Sequence, residues 1–326
     1  MGSSPGPVVE AALADIADGL ATLNVPERPE SLYDPVRYIL SSGGKRIRPL
    51  LVLLTAEAFG GPPARSGALP AALAVEVFHN FTLVHDDIMD HAATRRGRAT
   101  VHTRWSEPVA ILSGDVMMGL SYDLLTRAAA DAGELLAPYH TMVRRLCEGQ
   151  ALDLAFETRD AVSVEDYLAM IDGKTGALLE LALDVGALVG GASEANRASL
   201  RTAGHALGRA FQIQDDLLDL TASSPGWGKT IGGDLIEGKK TYLLLRALER
   251  AEGAQRAWFE RALGGLDAAA VPEARDRMER LGVIAEASDA VDLYTREGAD
   301  ALGVVPDTPA GQALRELALG LAARGR

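Results

Sequence analysis

Two short stretches, LVHDDIMD at Leu83–Asp90 and FQIQDDLLD at Phe211–Asp219, each set three aspartates behind an apolar run of helical character. The second repeats the spacing of the first 129 residues later. Residues four apart on a helix are neighbours, so Asp86 and Asp90 share a face, as do Asp215 and Asp219. Like charges at that separation destabilise an isolated helix, and the pattern makes sense where a cation, most simply a metal ion, sits between the carboxylates. With 24 Asp in 326 residues, one such pattern is expected about 0.1 times per chain, and two copies in about one chain in a hundred. Two related helices facing each other across a bundle therefore account best for the repeat, because bundles build metal and ligand sites from inward-projecting side chains.

The rest of the chain suits that picture. Hydrophobic residues make up 48% and aromatics 5%, with Ala and Leu prominent, which favours helix over strand. The expected fold is all-α, a single-domain helical bundle over residues 1–326 with a central active-site cavity. Proline ends or kinks helices, and its positions leave long free intervals. Helices are expected near Val8–Leu23, Leu32–Ser41, Arg48–Phe59, Ala71–Ala92, Val109–Ala130, Ala132–Glu157, Val164–Val189, Glu194–Leu220 and Thr241–Arg250, with shorter ones following. Ser163 with Asp166 three residues on resembles a capping box, and GGAS after Val189 breaks the preceding helix.

A net charge of -13 and the lack of a long basic stretch argue against a nucleic-acid partner. Cys147 is the single cysteine; within an apolar helical pattern it reads as a small core residue rather than a nucleophile. No leader pattern and no uninterrupted apolar run of membrane-spanning length is seen, so a soluble, cytoplasmic protein without a transmembrane segment is expected. The cations that do occur are clustered, in GGKRIRP at Gly43–Pro49, TRRGR at Thr94–Arg98 and EGKKT at Glu237–Thr241. Any one of these alone reads as a solvated loop. Taken with carboxylates suited to magnesium, which binds through one or two carboxylates plus substrate phosphates, they suggest a diphosphate-bearing substrate met by metal and by arginine. The Gly-rich segment SSPGWGKTIGGD, Ser223–Asp234, reads as a mobile flap over the second cluster.

Six motifs, GGKRIRP, HNFTLVHDDIMD, TRRGRATVH, GKTGALLE, FQIQDDLLD and GKTIGGDLIEGKKT, stand in the order and with the spacing of the trans-isoprenyl diphosphate synthases, and the chain resembles that family from about Leu32 to Leu245. The resemblance implies an enzyme that extends allylic diphosphates with isopentenyl diphosphate. It assigns Asp86, Asp90 and Asp215 to magnesium, three ions with the allylic diphosphate bound, supported by Asp87, Asp216 and Asp219. Lys45, Arg48, His79 and Arg96 match positions that bind isopentenyl diphosphate. Arg95, Lys174, Lys229 and Lys239 match positions that grip the allylic diphosphate, and Thr175 and Gln212 match polar positions that steady the developing cation. Homodimerisation is implied as well.

Product length is expected to depend on the helix ahead of the first motif, along which the growing chain would run. Phe81 lies about 7.5 Å and Phe78 about 12 Å along the axis from Asp86. An aromatic at Phe81 followed by the small Thr82 resembles geranylgeranyl (C20) diphosphate synthases, with farnesyl (C15) diphosphate as runner-up. Phe78 reads equally well as an ordinary core aromatic. A class I terpene cyclase would have no use for the Lys45, Arg48 and His79 set, and a noncatalytic subunit would have lost matched residues. The His85-Asp86 pair also occurs in metal phosphohydrolases, but the six histidines are not arranged as a ligand set.

Overall fold

A computed structural model of the chain describes residues 6–159, 161–222 and 231–322. Lys229 and most of the Ser223–Asp234 flap lie outside the described residues. Among those described, the fold is all-α apart from a two-stranded hairpin, Thr94–Arg95 paired with Arg98–Ala99. The chain divides into two compact units.

The first unit comprises residues up to His140 with 181–198 and 304–317. Its axis is the Ile47–Met89 helix, packed along Glu107–Leu125 and against Pro7–Ala21. Sequence reading split this stretch into Arg48–Phe59 and Ala71–Ala92; the structure also divides it in two, but without the eleven-residue gap. The break is confined to Gly61, whose φ of 72° and ψ of -172° turn the chain. Pro62 and Pro63 then stand in the first turn of the renewed helix, where a missing N–H leaves no bond unmade. Leu50 to Leu54 are all but fully buried, the pattern of a helix covered on every side. By length and composition the helix could cross a membrane, yet 61% of its apolar window is buried inside the protein.

The same helix closes in a Schellman motif: the Ala92 N–H reaches the Asp87 carbonyl at 2.9 Å and the His91 N–H reaches Ile88 at 3.2 Å, with His91 at φ 50°. Asp86 and Asp90 are therefore left in the final turn. In the hairpin that follows, Arg96 and Gly97 have φ of 53° and 73°, the two positive values a type I′ turn needs. This turn sets Arg95, Arg96 and Arg98 side by side.

The second unit comprises 141–180, 199–303 and the chain after Ala318. Phe156, Tyr167, Ile171, Ile213, Leu244, Phe259, Met278 and Val291 belong to its core. The Ser163 capping box forms, with Asp166 N–H on Ser163 Oγ at 3.0 Å and Ser163 N–H on Asp166 Oδ2 at 3.1 Å. The expected Val164–Val189 helix is interrupted: Val164–Ile171 and Ala177–Val189 flank a π-helical turn, Asp172–Gly176. Helix ends at Val189, as the glycines there predict, with Gly191 at φ 76°. Cys147 is exposed, correcting the expectation of a core position. On its helix, Ala132–Thr158, burial follows Leu135, Tyr139, Met142, Gly149 and Phe156. Cys147 falls outside that three-to-four-residue stripe.

Candidate active site

Asp86 is half-buried and Asp90 exposed, and both occupy the last turn of the Ile47–Met89 helix or its cap. A helix C-terminus carries partial negative charge. The two carboxylates are thus disfavoured by the helix end and by each other, and a cation relieves both effects. Asp87 faces elsewhere. It is 1% exposed and accepts from Arg95 Nε at 2.6 Å; burial raises its pKa, against the opposing pull of Arg95.

The second cluster divides differently, with one half-buried carboxylate and two buried ones. Asp215 is half-buried near the end of Glu194–Thr221. Asp216 is buried and fully engaged: its Oδ2 accepts from Tyr167 OH at 2.6 Å and from the Tyr242 N–H at 3.2 Å, and Oδ1 accepts from Gln212 Nε2 at 3.2 Å. Burial, reinforced by the neighbouring Asp234, pushes its pKa up to about 7. Asp219, also buried, accepts the Asp234 N–H at 3.2 Å.

Among the described residues, no three His, Cys, Asp or Glu side chains converge into a ready-made metal cage. Magnesium keeps several waters and binds through one or two carboxylates together with substrate phosphates. Asp86 and Asp90 in the first unit, and Asp215 in the second, each supply hard oxygen donors of that kind, so the residues fit the ion.

The predicted basic residues of the first unit gather around the Gly43–Arg48 turn. Arg48 Nη1 lies 3.3 Å from His79 Nε2, and Arg96 donates to the Gly43 carbonyl. Lys45 is exposed in the same turn. Sequence reading passed over what holds the turn: Arg46, at φ 48°, is ion-paired to the buried Glu76 and donates to the Ser42 carbonyl at 2.7 Å and to Leu40 at 3.2 Å. Arg95, Arg96 and Arg98, with Tyr38, Ser42, Asp87 and others, line a small recess of about 10 Å³.

Desolvation, followed by the fields of Arg48, Arg96, Arg95 and Arg46, holds the His79 pKa well below 6.5. His79 is therefore neutral at pH 7, and because Arg48 can only donate, Nε2 is the accepting nitrogen and Nδ1 carries the proton. The sign for stability follows. As pH falls through 6.5 the unfolded chain takes up a proton at this position before the folded chain does, so stability drops by up to about 1.4 kcal/mol per pH unit until the folded pKa is reached. His79→Gln is expected to remove that part of the loss, read as a smaller difference between urea midpoints at pH 7 and pH 5. An unchanged difference would show that His79 titrates normally.

Phe81, Phe78 and Tyr139 form an aromatic column, with ring centroids 5.2 Å and then 5.6 Å apart. Phe81 also meets His85 at 4.8 Å, so it stands on the motif side of the column. Phe78 and Tyr139 are fully buried, and Tyr139 OH donates to Ser121 Oγ at 2.6 Å. Thr82 is buried, its hydroxyl bonded to the His79 carbonyl at 2.8 Å.

In the second unit the π-helical turn carries Lys174 and Thr175. Thr175 Oγ1 donates to Gln212 Oε1 at 3.1 Å, joining Gln212 and Asp216 in one chain of bonds. Lys174 Nζ pairs with Asp153 at 2.5 Å, a partner 21 residues earlier that no local pattern singled out. Lys239 is 55% exposed on its side chain and pairs with Glu237 at 2.9 Å and, at 3.9 Å, with Asp234.

The polyprenyl synthetase family profile matches residues 29–280. Among curated relatives, a short chain isoprenyl diphosphate synthase of Methanothermobacter thermautotrophicus is 40% identical over 293 residues, 89% of each chain. A geranylgeranyl diphosphate synthase of Methanosarcina mazei is 39% identical over 295 residues, again 89% of each. Among solved structures, geranylgeranyl pyrophosphate synthetase from Pyrococcus horikoshii superposes with a TM-score of 0.90 at 36% identity, covering 97% of both chains.

Proposed function

The chain belongs to the polyprenyl synthetase family and is a trans-prenyltransferase, and from that premise we propose that it condenses isopentenyl diphosphate with an allylic diphosphate, uses magnesium, and releases geranylgeranyl diphosphate. The observation that carries the magnesium reading is the pair Asp86 and Asp90, one turn apart at a helix C-terminus, where carboxylates gain from a cation. Bound magnesium would supply positive charge against the departing diphosphate.

The protein's own groups divide the remaining tasks. Asp86, Asp90 and Asp215 would hold the ions, while Asp87, Asp216 and Asp219, already consumed by Arg95, Tyr167 and the Asp234 N–H, would keep the ligating residues in place. Lys174, Lys239, Arg95 and Lys229 would grip the allylic diphosphate. Lys45, Arg48, Arg96 and the Nδ1–H of His79 would anchor isopentenyl diphosphate. Thr175 and Gln212 present hydroxyl and amide oxygens, dipoles suited to a neighbouring carbocation. The proton lost after carbon–carbon bond formation would leave with the diphosphate.

The family match draws on both compact units, which supports reading residues 1–326 as one synthase domain. We read the protein as a cytoplasmic homodimer, as the resemblance implies. The buried column behind Phe81 supports a C20 product over longer chains. Purified protein incubated with magnesium, isopentenyl diphosphate and dimethylallyl, geranyl or farnesyl diphosphate is expected to accumulate geranylgeranyl diphosphate. Mainly C15 product would assign it as a farnesyl synthase, and C30 or longer would overturn the chain-length reading.

A further inference from the structure

The Asp172–Gly176 π-turn is held by charged groups that the chemistry above does not use. Asp172 opens the turn, and its two carboxylate oxygens take Nε and Nη2 of Arg209, each at 2.7 Å. Arg145 reaches both sides of the turn: Nη2 donates to the Asp172 carbonyl at 3.2 Å, while Nη1 and Nη2 hold the two oxygens of Glu180 at 2.6 and 2.9 Å. His205 Nδ1 lies between the two acids, 3.6 Å from Asp172 and 3.4 Å from Glu180. Arg209 in turn stacks on Tyr294, its guanidinium 5.3 Å from the ring centre.

The backbones meet as closely as the charges. A Cβ at Gly149 would stand 2.3 Å from Lys174 N, and one at Gly173 would stand 2.5 Å from the Arg145 carbonyl. Two helices, Ala132–Thr158 and Glu194–Thr221, are thus pressed onto five residues in the least common helical form. π-turns occur as single turns and frequently at functional sites, and an uncommon backbone geometry persists only where its surroundings over-determine it. Here each clamp is a planar fork on a carboxylate, a two-point contact that fixes orientation and that a lysine cannot reproduce.

We propose that Arg145 and Arg209 are positioning residues for prenyl transfer: by clamping Glu180 and Asp172 they hold the π-turn and set where Lys174 and Thr175 point, toward an allylic diphosphate and the cation it leaves. The inference rests on the proposed roles of Lys174 and Thr175. Its reach is specific, because the groups assigned to isopentenyl diphosphate, Lys45, Arg48, His79 and Arg96, belong to the other unit.

The test is Arg209→Lys, which keeps the charge and removes the fork, assayed by steady-state kinetics with each substrate varied in turn. KM for the allylic diphosphate is expected to rise about tenfold and kcat to fall, a misplacement of about 1 Å being enough for a hundredfold loss in rate, while KM for isopentenyl diphosphate stays within about twofold. Arg197→Lys is the matched control: it breaks the same kind of fork, Nε and Nη2 on Asp184 at 2.8 and 3.1 Å, and is expected to lower the melting temperature without separating the two KM values. Equal rises in both KM values, no change, or the same split from Arg197→Lys would overturn the proposal. Should Arg209→Lys fail to fold, Asp172→Asn, which keeps the shape of the side chain, carries the same expectation. A wild-type protein inactive in prenyl transfer would instead remove the proposed function itself, so the two failures are distinguishable.

Discussion

Asp86→Ala is expected to lower kcat/KM by about 10²- to 10³-fold, the range seen when one preorganised electrostatic stabiliser is removed from a site of developing charge. The loss should fall on chemistry and on metal-dependent binding, not on folding. Asp86 ends its helix at the negative pole, one turn from Asp90, so deleting it relieves repulsion of about 0.2–0.5 kcal/mol from the pair and a similar or larger amount from the helix end. In the wild-type protein, magnesium added with inorganic diphosphate should raise the melting temperature by mass action on the folded state, and Asp86→Ala should lose most of that rise. Full turnover by the variant would sink the reading of the first motif as a metal site.

The two aspartate motifs owe their legibility to being local. An i, i+4 acidic pair states its own face, and the Ser163 capping box and the glycines after Val189 state their helix ends within a few residues. The finer division inside each motif came from the family resemblance and not from the pattern itself, because it is decided by partners outside the motif. Asp87 is taken by Arg95 in a hairpin whose turn reads Arg-Gly rather than the familiar Asn-Gly. Asp216 is taken by Tyr167, 49 residues earlier, and by the backbone of Tyr242. In the first cluster one carboxylate, Asp87, is buried on a partner; in the second two are, Asp216 and Asp219.

The misses have the same origin. Proline at 62 and 63 looked like a helix breaker and is a helix starter, since the break is the positive φ of Gly61 one residue before. The π-turn adds one residue to a helix without changing the residue types that predict helix, so Asp172–Gly176 carried no periodic signature. Its clamps come from Arg145 and Arg209, 27 and 37 residues distant in sequence. The Arg46–Glu76 pair under the Gly43–Arg48 turn is separated by 30 residues. Sequence reading named candidate substrate-facing groups and missed most of the side chains that pack and pair around them.

Phe81→Ala is expected to lengthen the product beyond C20, and the aromatic column says by how much. The removed ring is the first obstacle on the motif side, and Phe78 stands behind it at 5.2 Å. Three residues of helix separate the two, about 4.5 Å, of the order of one isoprene unit, so the single variant should shift the main product to C25 and not to an open-ended series. Phe78→Ala alone should leave the product at C20, because the growing chain meets Phe81 first. The double variant should open the path as far as Tyr139, which is fully buried and fixed by its hydroxyl to Ser121. Stability moves differently: Phe78 and Phe81 are both buried, and each truncation should cost about 3–5 kcal/mol, so product length and melting temperature are separable readouts. Chromatography of the dephosphorylated products decides the matter. An unshifted C20 product from a folded, active Phe81→Ala enzyme would place the end of the chain elsewhere.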